Sequence, residues 1–316
     1  MNEIGFPGLG IGPFNMNRIA LAFGPVTIYW YAIFLVSGIV AGFVFALHEA
    51  KRLNLDTEVI YDLVLWGLPI SVICARAYYV IFSWDEMQGN ILNAFKIWDG
   101  GIAIYGSIIG AVLTGIVYCH VKHIKIGLVF DVCAIPLMLG QAIGRWGNFV
   151  NAEVYGRTTD VLWRMSVNGS NVHPLFLYES IWMLLGIAIL ISYKNRKKFD
   201  GEIFLLYVVW YGIGRGFLEG MRQNSYVLKL FGSVPISQML AVISAACAIL
   251  VLVYFYMNRS KLGLEPTTPY VHEKQLSEIG NEVVKIVDFT EEMSEDDELD
   301  NNIENVDERK NGNSKE

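Results

Sequence analysis

The chain has 316 residues, of which 53% are hydrophobic and only 17% charged, with a mean hydropathy of +0.40. A soluble domain carries about 25% charged residues, so this mixture is too apolar to cover a globular surface. The formal charge of −7 is carried by the end of the chain: residues 261–316 hold 16 acids and 6 bases, while residues 1–260 keep 15 and 18, a body at +3 with a tail at −10. Nothing suggests a nucleic-acid partner, because no basic stripe is interleaved with exposed aromatics. Cys74, Cys119, Cys133 and Cys247 all fall in apolar runs without CxxC spacing, so neither a disulfide framework nor a metal site is expected.

A membrane-spanning helix needs about 20 mostly apolar residues. Seven stretches approach that test, at 26–47, 59–82, 101–119, 128–144, 174–193, 203–218 and 236–257. The fourth and sixth are short and polar at one end. The first 25 residues lack the basic start and small-residue cleavage site of a signal peptide, so the first span reads as a retained helix. After about Leu264 the apolar pattern collapses, and the acidic run at 291–300 cannot bury enough surface to fold. The expected fold is an all-α integral membrane protein, a bundle of about seven transmembrane helices. Residues 1–25 form an extracytoplasmic segment, 26–260 the membrane domain, and 261–316 a disordered cytoplasmic tail.

Lys and Arg in short loops set the orientation. Lys51 and Arg52, Lys122 and Lys125, Lys194 to Lys198, and Arg259 with Lys261 mark alternate loops, which places the amino terminus outside and the carboxyl terminus in the cytoplasm. Depth follows. Tyr29, Tyr31, Arg76, Tyr105, Gln141, Arg145, Tyr178, Glu179, Tyr211, Arg215 and Glu219 then gather toward the outer side, whereas the inner half offers only His48, Asp62, His120 and Asp131, mostly near helix ends. A charged side chain costs about 2.5–3.5 kcal/mol at a helix centre on insertion scales, so this band implies a hydrated or protein-lined cavity open to the outside. A transporter would need polar residues through the inner half as well. A retinal receptor would need a lysine in the last span, and 236–257 has none.

In the sixth span Tyr211, Arg215, Glu219 and Arg222 fall along one helical face. Arg215 and Glu219 can simply pair, but an Arg fork inside a membrane is also a natural phosphate clamp. Gly212, Gly214, Gly216 and Gly220 surround them and suggest close approach by a backbone or ligand. Gly106 and Gly110 form GxxxG, which predicts helix packing. The densest signal follows the fourth span: Gly144-Arg145-Trp146-Gly147-Asn148-Phe149-Val150-Asn151-Ala152-Glu153, with Gly156 shortly after. Its carboxamides and carboxylate could bind glycerol hydroxyls and its guanidinium a phosphodiester, although asparagine-rich turns also satisfy their own backbone.

That stretch resembles the signature of the prolipoprotein diacylglyceryl transferases, bacterial enzymes that lipidate lipoprotein precursors. The resemblance covers nearly all seven spans, including Trp30-Tyr31, Gly100-Gly101, Gly106, His173-Pro174, Leu177-Tyr178-Glu179, Tyr211-Gly212, Arg215, Glu219 and Arg222. It implies a multi-pass protein of the bacterial cytoplasmic membrane that moves the diacylglyceryl group of phosphatidylglycerol to the lipobox cysteine of a prolipoprotein signal peptide. The products are a thioether and glycerol 1-phosphate, and no cofactor or metal is implied. The competing reading is a membrane transporter or lipid-binding membrane protein. By resemblance Arg145 binds the phosphate and Arg215 is the second cationic contact. Asn148, Asn151, Glu153 and Gly156 shape the headgroup pocket, and Tyr31, Tyr211, Glu219 and His173 are further contacts or orienting groups.

Many family members carry a histidine, often proposed as general base, where this chain has Tyr105. A tyrosine with pKa near 10 is a poor base at pH 7. Three options follow: Tyr105 ionises or relays a proton, His173 or Glu153 accepts it, or the field of Arg145 and Arg215 lowers the thiol's pKa directly. The last is preferred, with Tyr105 orienting lipid or thiol.

Overall fold

Seven long helices form where the apolar runs lie among the described residues: α1 (Trp30–Arg52), α2 (Thr57–Phe82), α3 (Ile104–Val121), α4 (Ile126–Asn151), α5 (Leu175–Tyr193), α6 (Glu202–Met221) and α7 (Ile236–Asn258). This computed structural model describes residues 2–24, 26–84, 95–96, 100–223, 229–230 and 234–268. The acidic run at 291–300, with the disorder expected of it, lies outside them, as does most of the loop between α2 and α3. The chain divides into residues 1–267 and 268–316, and the described fold is that of the first unit.

Six of the helices are long and apolar enough to cross a membrane; α6 is the exception. It carries Glu202, Arg215 and Glu219, charges that need protein partners or a water-filled cavity at membrane depth.

Two boundaries differ from expectation. Residues 26–29 are not helical: Val26–Tyr29 is a strand, β4, paired antiparallel with β3 (Ile19–Phe23). The β-branched and aromatic run Val26-Thr27-Ile28-Tyr29 suits a strand, and α1 starts one residue later, so Tyr29 caps the helix rather than lying inside it. The Gly144–Asn151 signature is not a turn after the fourth span but the last two turns of α4. Membrane-embedded backbone is helical unless another partner satisfies it, and that outweighs the weak helix preference of Gly144 and Gly147.

The segment ahead of α1 adds a sheet to the all-helical expectation. β1 (Asn2–Phe6) pairs with β2 (Ile11–Met16) and with β5 (Met165–Val167), which pairs with β6 (Ser170–Val172). The strand order β2-β1-β5-β6 thus joins the amino terminus to the loop between α4 and α5. Its buried face, Ile4, Met165, Val167 and Val172, packs on Phe176 and the signature residue Phe149. The side chains of Asn2 and Arg18 both donate to the carbonyl of Asn151, at 3.0 and 2.9 Å. They satisfy an acceptor left open where α4 ends.

Helix α4 is the centre of the bundle, packed against α1, α3, α5 and α6. The α1–α4 contact depends on small residues: a Cβ on Gly38 would sit 3.2 Å from the Gly140 carbonyl. The GxxxG of α3 does what its spacing predicts, since a Cβ on Gly110 would lie 2.9 Å from the Cα of Ser71 in α2. Two of the α6 glycines are explained in the same way. Gly212 faces the Ala241 carbonyl of α7, and Gly214 lies against the indole of Trp182 in α5.

The end of the bundle opposite the sheet corrects the expectation of a nearly apolar inner half. There Glu49 pairs with Arg52 and with Lys194 at 2.6 Å. Asp131 accepts from Lys197 Nζ, Gly201 N–H and Phe204 N–H, each at 3.0 Å. Glu202, fully buried, accepts from the hydroxyls of Tyr193 and Tyr256. In the loop, burial raises the Asp200 carboxyl, but Lys197 and the N–H and hydroxyl of Thr267 outweigh it and hold it below the usual carboxylate range. Several residues counted as loop bases are therefore tied into the packing, and together they clamp α1, α4, α5, α6 and the segment after α7.

Candidate active site

At the sheet end, five charged side chains from three helices and the residue after one of them meet in one cluster. Arg145, in the next-to-last turn of α4, lies 2.5 Å from Glu179. Glu179 sits in the second turn of α5 because Pro174, which caps that helix, starts it there. The other Glu179 oxygen faces Arg215 at 3.6 Å and Arg222 at 3.8 Å. Glu219 closes the ring, 3.0 Å from Arg215 and 3.5 Å from Arg222, and accepts from Ser237 of α7 at 2.6 Å. The expected Arg215–Glu219 pair therefore exists, but as one edge of a larger network.

The cluster holds three guanidiniums and two carboxylates, a net charge of +1. It is shielded, with the Glu219 and Arg222 residues 3% and 8% exposed. Among the described residues, Arg215 Nη1 and Arg222 Nε are buried nitrogens without a hydrogen-bond partner. Leaving buried donors unmade costs about 1–3 kcal/mol each, more on charged groups, so an acceptor oxygen reaching these two nitrogens would recover that cost, while Glu219 Oε2 in the same cluster is an acceptor likewise without a hydrogen-bond partner among the described residues.

Arg222 departs from the face expected of it. Helix α6 ends at Met221, and Arg222 is extended, forming a β-bridge with Gly156. Gly156 donates its N–H to the His173 carbonyl at 3.0 Å, and a Cβ there would sit 2.6 Å from His173 Cβ and 3.0 Å from the Met221 carbonyl. Only a residue without a side chain lets those three segments meet. Gly156 thus contributes by fixing where Arg222 projects.

The carboxamides lie farther along α4, Asn148 about one turn and Asn151 nearly two turns beyond Arg145. Asn148 and Asn151 each donate to Glu153 Oε1 at 3.2 Å, holding one carboxylate between two amides. The ring of Tyr31 covers Gly147, where a Cβ would come within 2.7 Å of it. Tyr105 lies within electrostatic reach of Arg215, Tyr211 and Glu219, and its ring centroid is 6.3 Å from that of Tyr78. Tyr211 packs beside Tyr207 and the core under the cluster. His173 stands with Tyr178, Nδ1 to hydroxyl 3.3 Å, while Tyr178 accepts from Trp163 Nε1 at 2.6 Å. Burial pushes the His173 imidazole below the usual histidine range, which keeps it neutral at pH 7.

Arg76 is placed at the same end, but its guanidinium donates to the carbonyls of Gly100 and Gly101, at 2.5 and 2.8 Å, and lies over the Tyr79 ring. It fixes the entry to α3. The expected contacts did not include Glu179, Arg222 and Ser237 as members of the charge cluster. Glu179 was visible as an acid early in an apolar span, and Ser237-Gln238 as the polar opening of another.

A family model described as prolipoprotein diacylglyceryl transferase matches residues 18–254, three quarters of the chain. The chain belongs to the prolipoprotein diacylglyceryl transferase family. A phosphatidylglycerol–prolipoprotein diacylglyceryl transferase of Pediococcus pentosaceus is 41% identical over 276 residues, 83% of this chain and 97% of that protein. Proteins of the same name from Listeria innocua and Limosilactobacillus reuteri are 38% and 42% identical, over 86% and 75% of the chain and 98% and 90% of their own lengths. The span matched by the diacylglyceryl transferase model contains every residue of the charge cluster and begins at Arg18, the residue that caps Asn151. The acidic tail lies beyond it.

Proposed function

We propose that this membrane transferase moves the diacylglyceryl group of phosphatidylglycerol onto the lipobox cysteine thiol of a prolipoprotein. The observation that carries the reading is the buried cluster of three arginines with unmet donors beside an amide-bound carboxylate. The guanidiniums suit a phosphodiester, and Asn148, Asn151 and Glu153 suit the hydroxyls of its glycerol.

The chemistry needs that combination. The thiol sulfur attacks the terminal glyceryl carbon of the diacylglycerol, a C–S bond forms, and the C–O bond to phosphate breaks with its electron pair going to oxygen. The phosphodiester monoanion leaves as a phosphomonoester, so negative charge grows on the phosphate. Preorganised guanidiniums stabilise that growth more than they stabilise bound lipid. The thiol proton must leave as well. The positive field of Arg145 and Arg215 favours thiolate, and neutral His173 is a further acceptor at the same end.

The far end of the bundle carries Arg52, Lys122, Lys125, Lys194, Lys197 and Arg259. The orientation rule counts Lys and Arg rather than net charge, so their ion pairs leave it intact. The far end then faces the cytoplasm, and the cluster the outer leaflet of the bacterial cytoplasmic membrane, where lipobox precursors emerge.

The test is to incubate the protein, reconstituted with phosphatidylglycerol, with a lipobox peptide. A peptide gaining one diacylglyceryl mass, with glycerol phosphate released one for one, is expected. An unmodified peptide beside folded protein would contradict the reading. Tyr105→Phe separates the proton routes: activity within a few fold of wild type is expected if the hydroxyl only orients substrate, and a loss of about two orders of magnitude or more (the range of general acid–base catalysis) would make it the proton acceptor.

A further inference from the structure

Glu179 has a role that the phosphate clamp alone does not explain. It occupies the middle of the cation cluster, 2.5 Å from Arg145 and 3.6 and 3.8 Å from Arg215 and Arg222. The second acid, Glu219, is anchored by Ser237 as well as by its arginines. Glu179 is instead the acid that touches all three guanidiniums, which is where a phosphate bound by all three would sit.

We propose that Glu179 is a positioning residue that serves as the clamp's own competing anion: it holds the three arginines assembled before lipid arrives and drives out the glycerol phosphate after transfer. The proposal rests on the phospholipid reading above.

The charges argue for it. Three arginines and two glutamates leave the cluster at +1. A phosphodiester monoanion brings it to neutrality. A phosphomonoester carries a charge of about −1.5 to −2 at pH 7, so after the reaction the shielded cluster is overfilled with negative charge. Like charges in a site of low effective dielectric repel strongly, and product departs. A cluster without the Glu179 charge would stand at +2 and be neutralised by the product, retaining it. The same carboxylate competes with incoming lipid, so it raises the lipid concentration needed while keeping the guanidinium planes in register.

The test is Glu179→Gln, which keeps size and removes charge. Calorimetry with sn-glycerol 1-phosphate at pH 7.5 should show binding tightened about tenfold, the equivalent of 1.4 kcal/mol. In turnover assays the KM for phosphatidylglycerol should fall together with kcat, and glycerol 1-phosphate should become a stronger inhibitor. Glu179→Asp, which keeps the charge but shortens its reach to Arg145, should shift binding in the same direction by less, and it stands in if the glutamine variant does not fold. Product affinity unchanged or weakened in a folded variant, or KM rising as kcat falls, would overturn the proposal. Because product binding is read without turnover, it decides the role of Glu179 even if the wild type failed to lipidate the peptide, an outcome that would fall on the transferase reading instead.

Discussion

Arg145→Ala is expected to reduce turnover about a thousandfold or more. Removing one preorganised donor from a site of developing charge costs about 10²–10³ in kcat, or about 2.7–4 kcal/mol. Here the loss is compounded, because Arg145 is the close partner of Glu179 at 2.5 Å. Without it Glu179 turns fully on Arg215 and Arg222, and the cluster falls from +1 to neutral, with no excess charge for the lipid's phosphate. Arg145→Lys restores charge but not the planar fork, and its turnover should remain well below wild type. Steady-state rates with both variants check this: near-normal kcat for the alanine protein would remove Arg145 from the phosphate seat.

The second large effect concerns folding rather than chemistry. Asp131→Ala should lower stability by about 3–5 kcal/mol, the cost of breaking a buried pair by removing one partner. Asp131 is 5% exposed and holds Lys197, itself buried, together with the N–H groups of Gly201 and Phe204 that begin α6. Alanine strands the two N–H groups and leaves Lys197 with Asp200 as its remaining carboxylate. Thermal unfolding of the detergent-solubilised variant should show a clearly lowered transition, while the kcat of the fraction still folded stays close to wild type because the change lies at the end away from the charge cluster. An unshifted transition would show that the far-end network is not structural.

Much of this architecture was legible in the sequence, for one physical reason. A bilayer requires about 20 apolar residues per crossing, so each span is long and each polar exception conspicuous. Arg145, Arg215 and Glu219 stood out in that way and do meet. What was not legible depends on pairing across the chain. Nothing local in Asn2–Phe6 announces that it pairs with Met165–Val167, and the strands that do so are only five and three residues long. The helical continuation through Gly144 and Gly147 was hidden because glycine reads as a break when its tertiary surroundings are unknown. Tyr31 covering Gly147 explains that glycine only once α1 and α4 are placed together. The far-end ion pairs were hidden by their own usefulness: Lys194 and Lys197 mark orientation as loop cations whether or not they are buried. The role of Gly156 likewise needed the bridge to Arg222, 66 positions away in the chain.

The most direct measurement is a structure determined with phosphatidylglycerol bound. Phosphate density within hydrogen-bond distance of Arg145 and Arg215, with the glycerol toward Asn148 and Glu153 and Glu179 shifted off Arg145, is the predicted result. A headgroup seated elsewhere, with the Arg145–Glu179 pair undisturbed, would contradict the account.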